Sequence, residues 1–429
     1  MLSNTENSLL TEVGIGTQMG DLLRRYWHPI AAEAELEANP IREVRLLGED
    51  LVLYKSLEGT YGLVERQCAH RRASLAYGVV EPCGIRCTYH GWIYNEHGEC
   101  VEQPFEDTVR SGNTFRAHVR LKAYQVATKA GLIWGYLGPA PAPCLMDWDY
   151  FHRPGFKLIR LARIPCNWLQ CEENAIDPIH FEWLHDNWSL RMRGHRGEYS
   201  PKHLKLRFDE FEYGFVYGRV REGGDEQNPL WSVGRACLWP NGFLTHALTW
   251  FVPIDTSSTL SIQLHNFPIP GNQEFEQQRI PFLYELAGHD ATSVEALGTT
   301  LGGTSPASSQ VSSATLRQDV LGMVGQGVVA DRSLEHLGES DRGIILLRRR
   351  LLSDSKLVAK GCDPKAILRD PDRNVRLALP FVEGSASHTD PFQYFGPALS
   401  PKLAAEIAEV WGSSSLAGRR SEAGRDRAF

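Results

Sequence analysis

Two short cysteine–histidine half-sites leave this chain the least freedom in how it can fold. Cys68-Ala-His70 comes first, and Cys87-Thr-Tyr-His90-Gly-Trp92 follows after sixteen intervening residues. Each offers one thiolate and one imidazole within three or four residues, as loop tips do when two β-loops clasp a metal group. Two readings compete. A single Zn²⁺ could take two cysteines and two histidines tetrahedrally. A [2Fe–2S] cluster could instead have both cysteines on one iron and both histidines on the other. Imidazoles in place of anionic thiolates would then raise its reduction potential. Zinc-finger pairs usually come as C-x2-C with H-x3-5-H, so the mixed half-sites favour the iron–sulfur reading. Two chance pairs of core residues explain the spacing worse than either.

The segments around the half-sites read as strands. From Trp27 to Gly138 the chain runs in short alternating stretches, among them EVRLLGEDLVLYKS, TYGLVERQ, GIRCTYHGWIYN and GLIWGYLG, broken by Gly, Asn and Asp turns. That pattern predicts a small all-β domain over 27–140. Residues 1–26 form a helical segment, amphipathic over 19–26. Prolines 139, 141 and 143 make a stiff connector, because proline fixes φ and cannot donate to a sheet. The remainder, 141–412, is mixed. A helix is expected over 167–185, antiparallel strands over 203–267, a mobile small-residue loop over 299–314 and a helix over 341–355. The Ser-, Gly- and Arg-rich residues 413–429 read as a frayed, flexible tail. The fold class is therefore α+β: an N-terminal all-β domain, then a domain with an antiparallel sheet flanked by helices.

Composition narrows the function classes. The 429 residues are 42% hydrophobic and 23% charged, enough for a full core and unlike a disordered chain. A net charge of −7 argues against a nucleic-acid footprint. No run approaches the ~18 apolar residues of a membrane span. The start lacks a basic n-region and an apolar h-region, so a cytoplasmic location is expected. Nine cysteines, an odd number, do not suggest a disulfide framework.

A second constellation lies downstream. In Asn174-Ala-Ile-Asp177-Pro-Ile-His180-Phe-Glu-Trp-Leu-His185 two histidines stand five apart after an aspartate. On a regular α-helix they would differ by roughly 140° around the axis. Either the helix ends before His185 or it contains a π-type bulge, a frequent mark of a functional site. With an anionic third ligand the pair would form a two-histidine, one-carboxylate triad, which leaves positions open for O2 on Fe(II). Alone, the two could equally be ordinary half-buried histidines. The half-sites upstream tip the balance, since a one-electron donor needs an acceptor.

Taken together, LLTEVGIGTQMGDLLRRYWHPI, CAHRRASLAYG, CGIRCTYHGWIYNEHGEC and the 174–185 segment resemble the Rieske-type oxygenases, in their phthalate-dioxygenase-like branch. The likeness covers most of the chain to about residue 200 and returns near 316–352. It implies that Cys68 and Cys87 hold one iron of a [2Fe–2S] cluster, and His70 and His90 the other. Arg71, Tyr89, Gly91 and Trp92 would wrap that cluster. High-potential respiratory relatives carry a further disulfide between the loops. Here Ala73 stands where its cysteine would be, and Cys83 reads as a plain thiol. The resemblance further implies His180 and His185 as ligands of a mononuclear iron. Asp177, with Asn174 beside it, would link the two centres across a subunit boundary, so a homotrimer or stacked trimers is the expected working unit. Gln318-Asp319 fits the slot of the carboxylate ligand, although Val324 replaces a later glutamate; Asp331 and Asp341 are the reserves.

The chemistry then follows. No G-x-G-x-x-G follows a strand, so NAD(P)H electrons must arrive through a separate reductase, with or without a ferredoxin. The expected function is the terminal oxygenase of a multicomponent system acting with O2 on an aromatic acid or aryl ether. The outcome is O- or N-demethylation or hydroxylation, with ring cis-dihydroxylation as the alternative. An iron–sulfur electron-transfer protein without oxygenase chemistry is the alternative of another class. Trp239, Phe243, His246 and Trp250 are candidate pocket walls. Arg191 and Arg193, with His195 and Arg196, could clamp a substrate carboxylate, or form a solvated loop or a reductase-docking patch.

Overall fold

The structure, a computed structural model, describes residues 2–110, 112, 114–269, 275, 277–284, 311–382 and 390–411. Three sheets organise them. The first is antiparallel and six-stranded, in the order Trp27–Ala32, Leu132–Tyr136, Ala123–Lys129, Tyr61–Glu65, Glu49–Lys55, Ile41–Leu46. Beside it lies a four-stranded sheet of short strands, Val79–Glu81, Gly84–Arg86, Ile93–Tyr94 and Cys100–Glu102. Ile41–Leu46 shows the half-buried alternation expected of an edge, with Val44 and Leu46 buried and Glu43 and Arg45 exposed.

The third sheet has eight strands. Their order is His203–Phe211, Gly214–Arg221, Arg235–Leu238, Gly242–Leu244, Ala247–Asp255, Ser258–Phe267, Phe156–Ile164, Phe282–Tyr284. Seven run antiparallel, those over 203–267 as expected; Phe282–Tyr284, beyond that range, pairs in parallel with Phe156–Ile164. One hydrophobic core spans the first and third sheets. Trp134 packs edge-on against Trp250 at 5.1 Å. The turn at Leu47 and Gly48 donates to the carbonyls of Pro253 and Ile254 at 3.0 and 2.9 Å. These contacts fix how the two sheets sit on each other.

The helix Trp168–Ile176 lies over the third sheet and positions the second constellation. Asn167 caps it, its Oδ1 accepting from the Leu169 N–H at 3.1 Å. It ends at Asp177 because Pro178 disfavours the helical conformation in the residue before it. The expected single helix over 167–185 is thus two elements. The second, Phe181–Asn187, is π-helical and carries His185. The helix near 341–355 is present as Arg342–Ala359. Of the expected loop over 299–314, residues 299–310 lie outside the described residues, while 311–314 are helical and open Val311–Val324. The expected tail, 413–429, also lies outside them. No helix among the described residues is long and apolar enough to cross a membrane.

Candidate metal centres

The two half-sites fold into loops of one design. The Cys68 N–H donates to the Ala73 carbonyl and the Cys87 N–H to the Trp92 carbonyl, both at 2.8 Å. Each cysteine carbonyl in turn accepts from the residue four further on, Arg72 and Gly91, both at 2.9 Å. Both of those residues are left-handed, at φ 62° and 77°. At Gly91 a Cβ would also meet Pro104 Cγ at 3.0 Å, so glycine is required there twice over.

The loops turn both sulfurs inward and both imidazoles outward. Cys68 and Cys87 are buried, whereas His70 and His90 are exposed, their rings 4.4 Å apart. Trp92 stacks on His70 at 4.3 Å, Tyr89 lies 4.0 Å from His90, and Arg71 covers Tyr89. The buried Tyr94 hydroxyl stands 3.2 Å from Cys68 Sγ, a partner the sequence did not reveal. Burial pushes the Cys68 thiol up, and the Tyr94 hydroxyl opposes that shift. Burial and the neighbouring His90 both lower the His70 pKa, which favours the uncharged ring a metal ligand needs.

The donor set discriminates between the two metal readings. Among the described residues only His180, His185 and Asp319 bring three donor atoms within 4.8 Å of one another. The Cys68, His70, Cys87 and His90 donors are spread more widely than one tetrahedral ion with ligands at about 2.0–2.3 Å accepts. Two inner thiols and two outer imidazoles suit a two-iron cluster.

At the second site His185 Nε2 and His180 Nε2 lie 3.0 and 3.6 Å from Asp319 Oδ1. The other nitrogen of His185, Nδ1, meets Gln318 Oε1 at 2.9 Å, which fixes the tautomer that leaves Nε2 free to ligate. Asn174 Nδ2 donates to Asp319 Oδ1 at 3.5 Å. Asp177 Oδ2 stands 3.7 Å from His180 Nδ1, and its Oδ1 accepts from the Ile179 N–H at 2.7 Å. Burial works against a charged His185, yet Asp319 outweighs it and raises the pKa: the carboxylate draws positive charge to this point. The geometry fits a mononuclear ion with two histidines and one carboxylate.

The surroundings explain how distant segments meet here. Gln170 Nε2 donates to the Met323 and Gly327 carbonyls at 2.8 and 2.9 Å, and its Oε1 accepts from the Ala330 N–H. One helix thereby holds the end of the helix that carries Asp319. Glu173 accepts from Arg332 at 2.8 Å and from Arg348 at 2.6 Å, and Arg348 also grips Glu335. All three come from the stretch beyond residue 330 that pairs with Glu173, and sequence reasoning missed them. Their charges are visible in the sequence, but nothing in their spacing points to Glu173.

The other residues singled out in the sequence lie as follows. Arg191 Nη1 donates to its own loop's carbonyls at Glu198 and His195, and its guanidinium covers Tyr199, so it closes a turn. Arg193 and Arg196 are exposed, and His195 pairs with Glu198. Trp239 and Trp250 face the seam between the sheets, where they line a cavity with Tyr26, Trp27 and Trp134. Phe243 instead lies 6.2 Å from Tyr217, and His246 reaches the Tyr394 hydroxyl at 2.7 Å. Asp331 and Asp341 accept from Ser333 and Gly338 in local turns, as ordinary aspartates do. Cys83 is an exposed free thiol, and all nine cysteines are unpaired with one another as disulfides.

Comparison with known proteins gives the family. Residues 26–116 match the model of the Rieske [2Fe-2S] domain. The chain is 48% identical to the 5,5'-dehydrodivanillate O-demethylase oxygenase subunit of a Sphingobium species, over 90% of this chain and 88% of the relative. It is 30% identical to the phenoxybenzoate dioxygenase alpha subunit of Ectopseudomonas oleovorans, over 86% of this chain and 89% of that one. Among solved structures, NdmA of Pseudomonas putida CBB5 with caffeine aligns over 80% of this chain and 94% of its own, at a TM-score of 0.53 and 20% identity, a likeness of fold. The chain belongs to the Rieske non-haem iron oxygenases, among the oxygenase subunits of multicomponent systems. Its cofactors are a Rieske [2Fe–2S] cluster and a mononuclear iron, and a separate reductase supplies the electrons of NAD(P)H.

Proposed function

We propose that this protein is the terminal oxygenase of an O-demethylase acting on a methoxylated aromatic acid of the 5,5'-dehydrodivanillate type. The observation that carries the reading is 48% identity across nine-tenths of the chain with a relative so named. Ring dihydroxylation is the second reading, favoured by the dioxygenase names of the relatives at 30% and 29% identity.

In this proposal Cys68 and Cys87 hold one iron of the cluster and His70 and His90 the other, with Trp92, Tyr89 and Arg71 shielding the imidazoles. His180, His185 and Asp319 hold the mononuclear iron. When bound, the cluster supplies single electrons and the ferrous ion activates O2, so that a hydroxylated methyl group leaves as formaldehyde. The chain's own residues supply orientation. Gln318 holds the His185 tautomer, Asn174 steadies the Asp319 carboxylate, and Asp177 presents an acceptor to His180 and to an incoming His90 of a neighbouring subunit. The outward imidazoles support that crossing, and a homotrimer or stacked trimers is the assembly that closes it. The cytoplasm, where reduced nicotinamide is regenerated, is the compartment this function fits.

The test is turnover of 5,5'-dehydrodivanillate by the iron-loaded protein with a surrogate NADH-dependent reductase. Formaldehyde released in step with NADH consumption is the expected result. A cis-dihydrodiol without formaldehyde would replace demethylation with dihydroxylation.

A further inference from the structure

Two arginines beneath the iron-ligand segment have no anionic partner among the described residues. Tyr217 and Arg219 lie two apart on the strand Gly214–Arg221 and so share a face of the sheet. Arg235 sits directly across from Tyr217 on the next strand and shares that face. Arg219 is 7% exposed. Nε and Nη1 of both arginines, and the Tyr217 hydroxyl, are buried without a hydrogen-bond partner among the described residues.

The nearby acids are engaged elsewhere. Asp186 pairs with Arg221 at 2.7 Å. Glu182 accepts from both the His203 N–H and Nδ1, at 2.7 and 2.9 Å. What the two guanidinium groups do touch is the Phe181 ring, at 4.7 and 4.8 Å from its centroid. That contact leaves the in-plane N–H donors unbonded. A buried guanidinium beside a half-buried one, with buried donors idle on both, is unfavourable unless an anion arrives. Burial and then Arg235 push the Arg219 pKa down to about 10, in keeping with a site short of negative charge.

Phe181 also ties this cluster to the metal centre. Its ring lies 4.4 Å from His180 and 5.2 Å from His185, so the guanidinium groups stand one aromatic ring away from both ligands. We propose that Arg219 and Arg235, with the Tyr217 hydroxyl, bind the carboxylate of the substrate and so select aromatic acids over their neutral counterparts. This rests on the oxygenase reading above and names the group by which its substrate is recognised. Guanidinium forks match a carboxylate bidentately, and the Tyr217 hydroxyl can donate to the same oxygens. An anion held there would lie beside Phe181, one aromatic ring from His180 and His185. Arg191 is bound to its own loop and Arg193 is exposed, so neither shows the buried idle donors of Arg219 and Arg235.

The experiment is equilibrium binding by calorimetry, anaerobically, with the iron-loaded oligomer. The probes are 5,5'-dehydrodivanillate and its doubly decarboxylated biphenyl counterpart. The wild type should bind the acid at least ~30-fold more tightly. Arg219→Gln and Arg235→Gln should each weaken the acid by ~30-fold or more and leave the neutral compound within ~3-fold. Iron and acid-labile sulfide contents, unchanged, would show that each variant is folded. Equal binding of acid and neutral compound by the wild type, binding of neither, or loss of both compounds alike in folded variants would overturn the proposal. If Arg219→Gln does not fold, Arg235→Gln and the wild-type comparison decide. The two readings fail separately. Acid selectivity without formaldehyde would leave the carboxylate site standing and remove demethylation; formaldehyde with no acid selectivity would do the reverse.

Discussion

Glu172 and Glu173 are neighbours on one helix, yet the fold treats their carboxyl groups in opposite ways. Glu172 faces the apolar side with one oxygen unpartnered, and burial alone raises its pKa well above the usual range. Glu173 is as deeply placed, but Arg332 and Arg348 outweigh its burial and lower its pKa. Replacing Glu172 with Gln keeps the shape and removes the ionisation that folding opposes. Because the folded pKa stands above the unfolded one, this residue's favourable contribution is complete only below about pH 4.3 and is lost as pH rises. Glu172→Gln should therefore raise Tm at pH 8, and raise it by more there than at pH 5, as read by circular dichroism. Glu173→Gln should do the opposite, lowering stability by about 3–5 kcal/mol, because it leaves the buried Arg332 guanidinium without a carboxylate among the described residues and Arg348 with Glu335 alone. At the iron site the outlying partner is Gln318. Gln318→Leu removes the acceptor for His185 Nδ1 and should weaken iron binding by about 10- to 100-fold in a chelator competition, with sulfide content unchanged.

At the scale of elements, the π-helical segment Phe181–Asn187 explains why two histidines five apart can serve one ion. Its hydrogen bonds span five residues, as in the Trp188 N–H to Trp183 carbonyl bond, and so residues five apart fall on one side. Glu182 locks the segment to the strand edge at His203, and Asn187 accepts from the Ser200 N–H at 2.9 Å. Inserting one alanine after Leu184 would separate the histidines by six and swing His185 about 100° further round the axis. Metal analysis should then find about two irons per chain in place of about three, with acid-labile sulfide intact. Three irons in the insertion variant would remove the segment's role. The sequence made much of this legible: the five-residue spacing implied either a break or a bulge, and the chain uses both, with Pro178 as the visible cause of the break. Gly91 and the Gln318-Asp319 slot were expected only from the resemblance to the family, whereas the half-sites were readable from short-range spacing. Arg72 in a left-handed turn, Tyr94 behind Cys68, and the pairing of Arg332 and Arg348 with Glu173 were not. Arg72 takes a local conformation that its residue type does not announce, Tyr94 depends on how strands and loops pack, and the Glu173 pairs join segments more than 150 residues apart. Which of the candidate aromatic residues share a cavity was not legible either: Trp250 and Phe243 point to opposite faces of one sheet, and only the register, Gly242 opposite Trp250 and Cys237 opposite Phe243, tells them apart.

For the whole molecule, the shared core means that the two sheets do not hinge freely. Leu47 and Gly48 are hydrogen-bonded to the far end of the catalytic sheet, and Trp134 is wedged against Trp250. The half-site loops are thus carried on a fixed frame, with both cysteines buried and both histidines facing out. Electrons leaving by those imidazoles must be received by whatever docks there, and the proposed recipient is the Asp177–His180 edge of a neighbouring copy. Complementation tests that arrangement without altering the docking surface. One variant, Cys68→Ala, lacks the cluster; a second, Asp319→Ala, lacks the mononuclear iron. Each alone should be inactive. Co-expressed and purified as mixed oligomers, they should recover about a quarter of the wild-type rate per chain, because half the chains keep their iron and half of the neighbours they rely on keep the cluster. Transfer within a single chain gives no such rescue, since no chain in the mixture holds both centres. An inactive mixture, with co-purification of two differently tagged variants proving that the copies associate, would remove the intersubunit path.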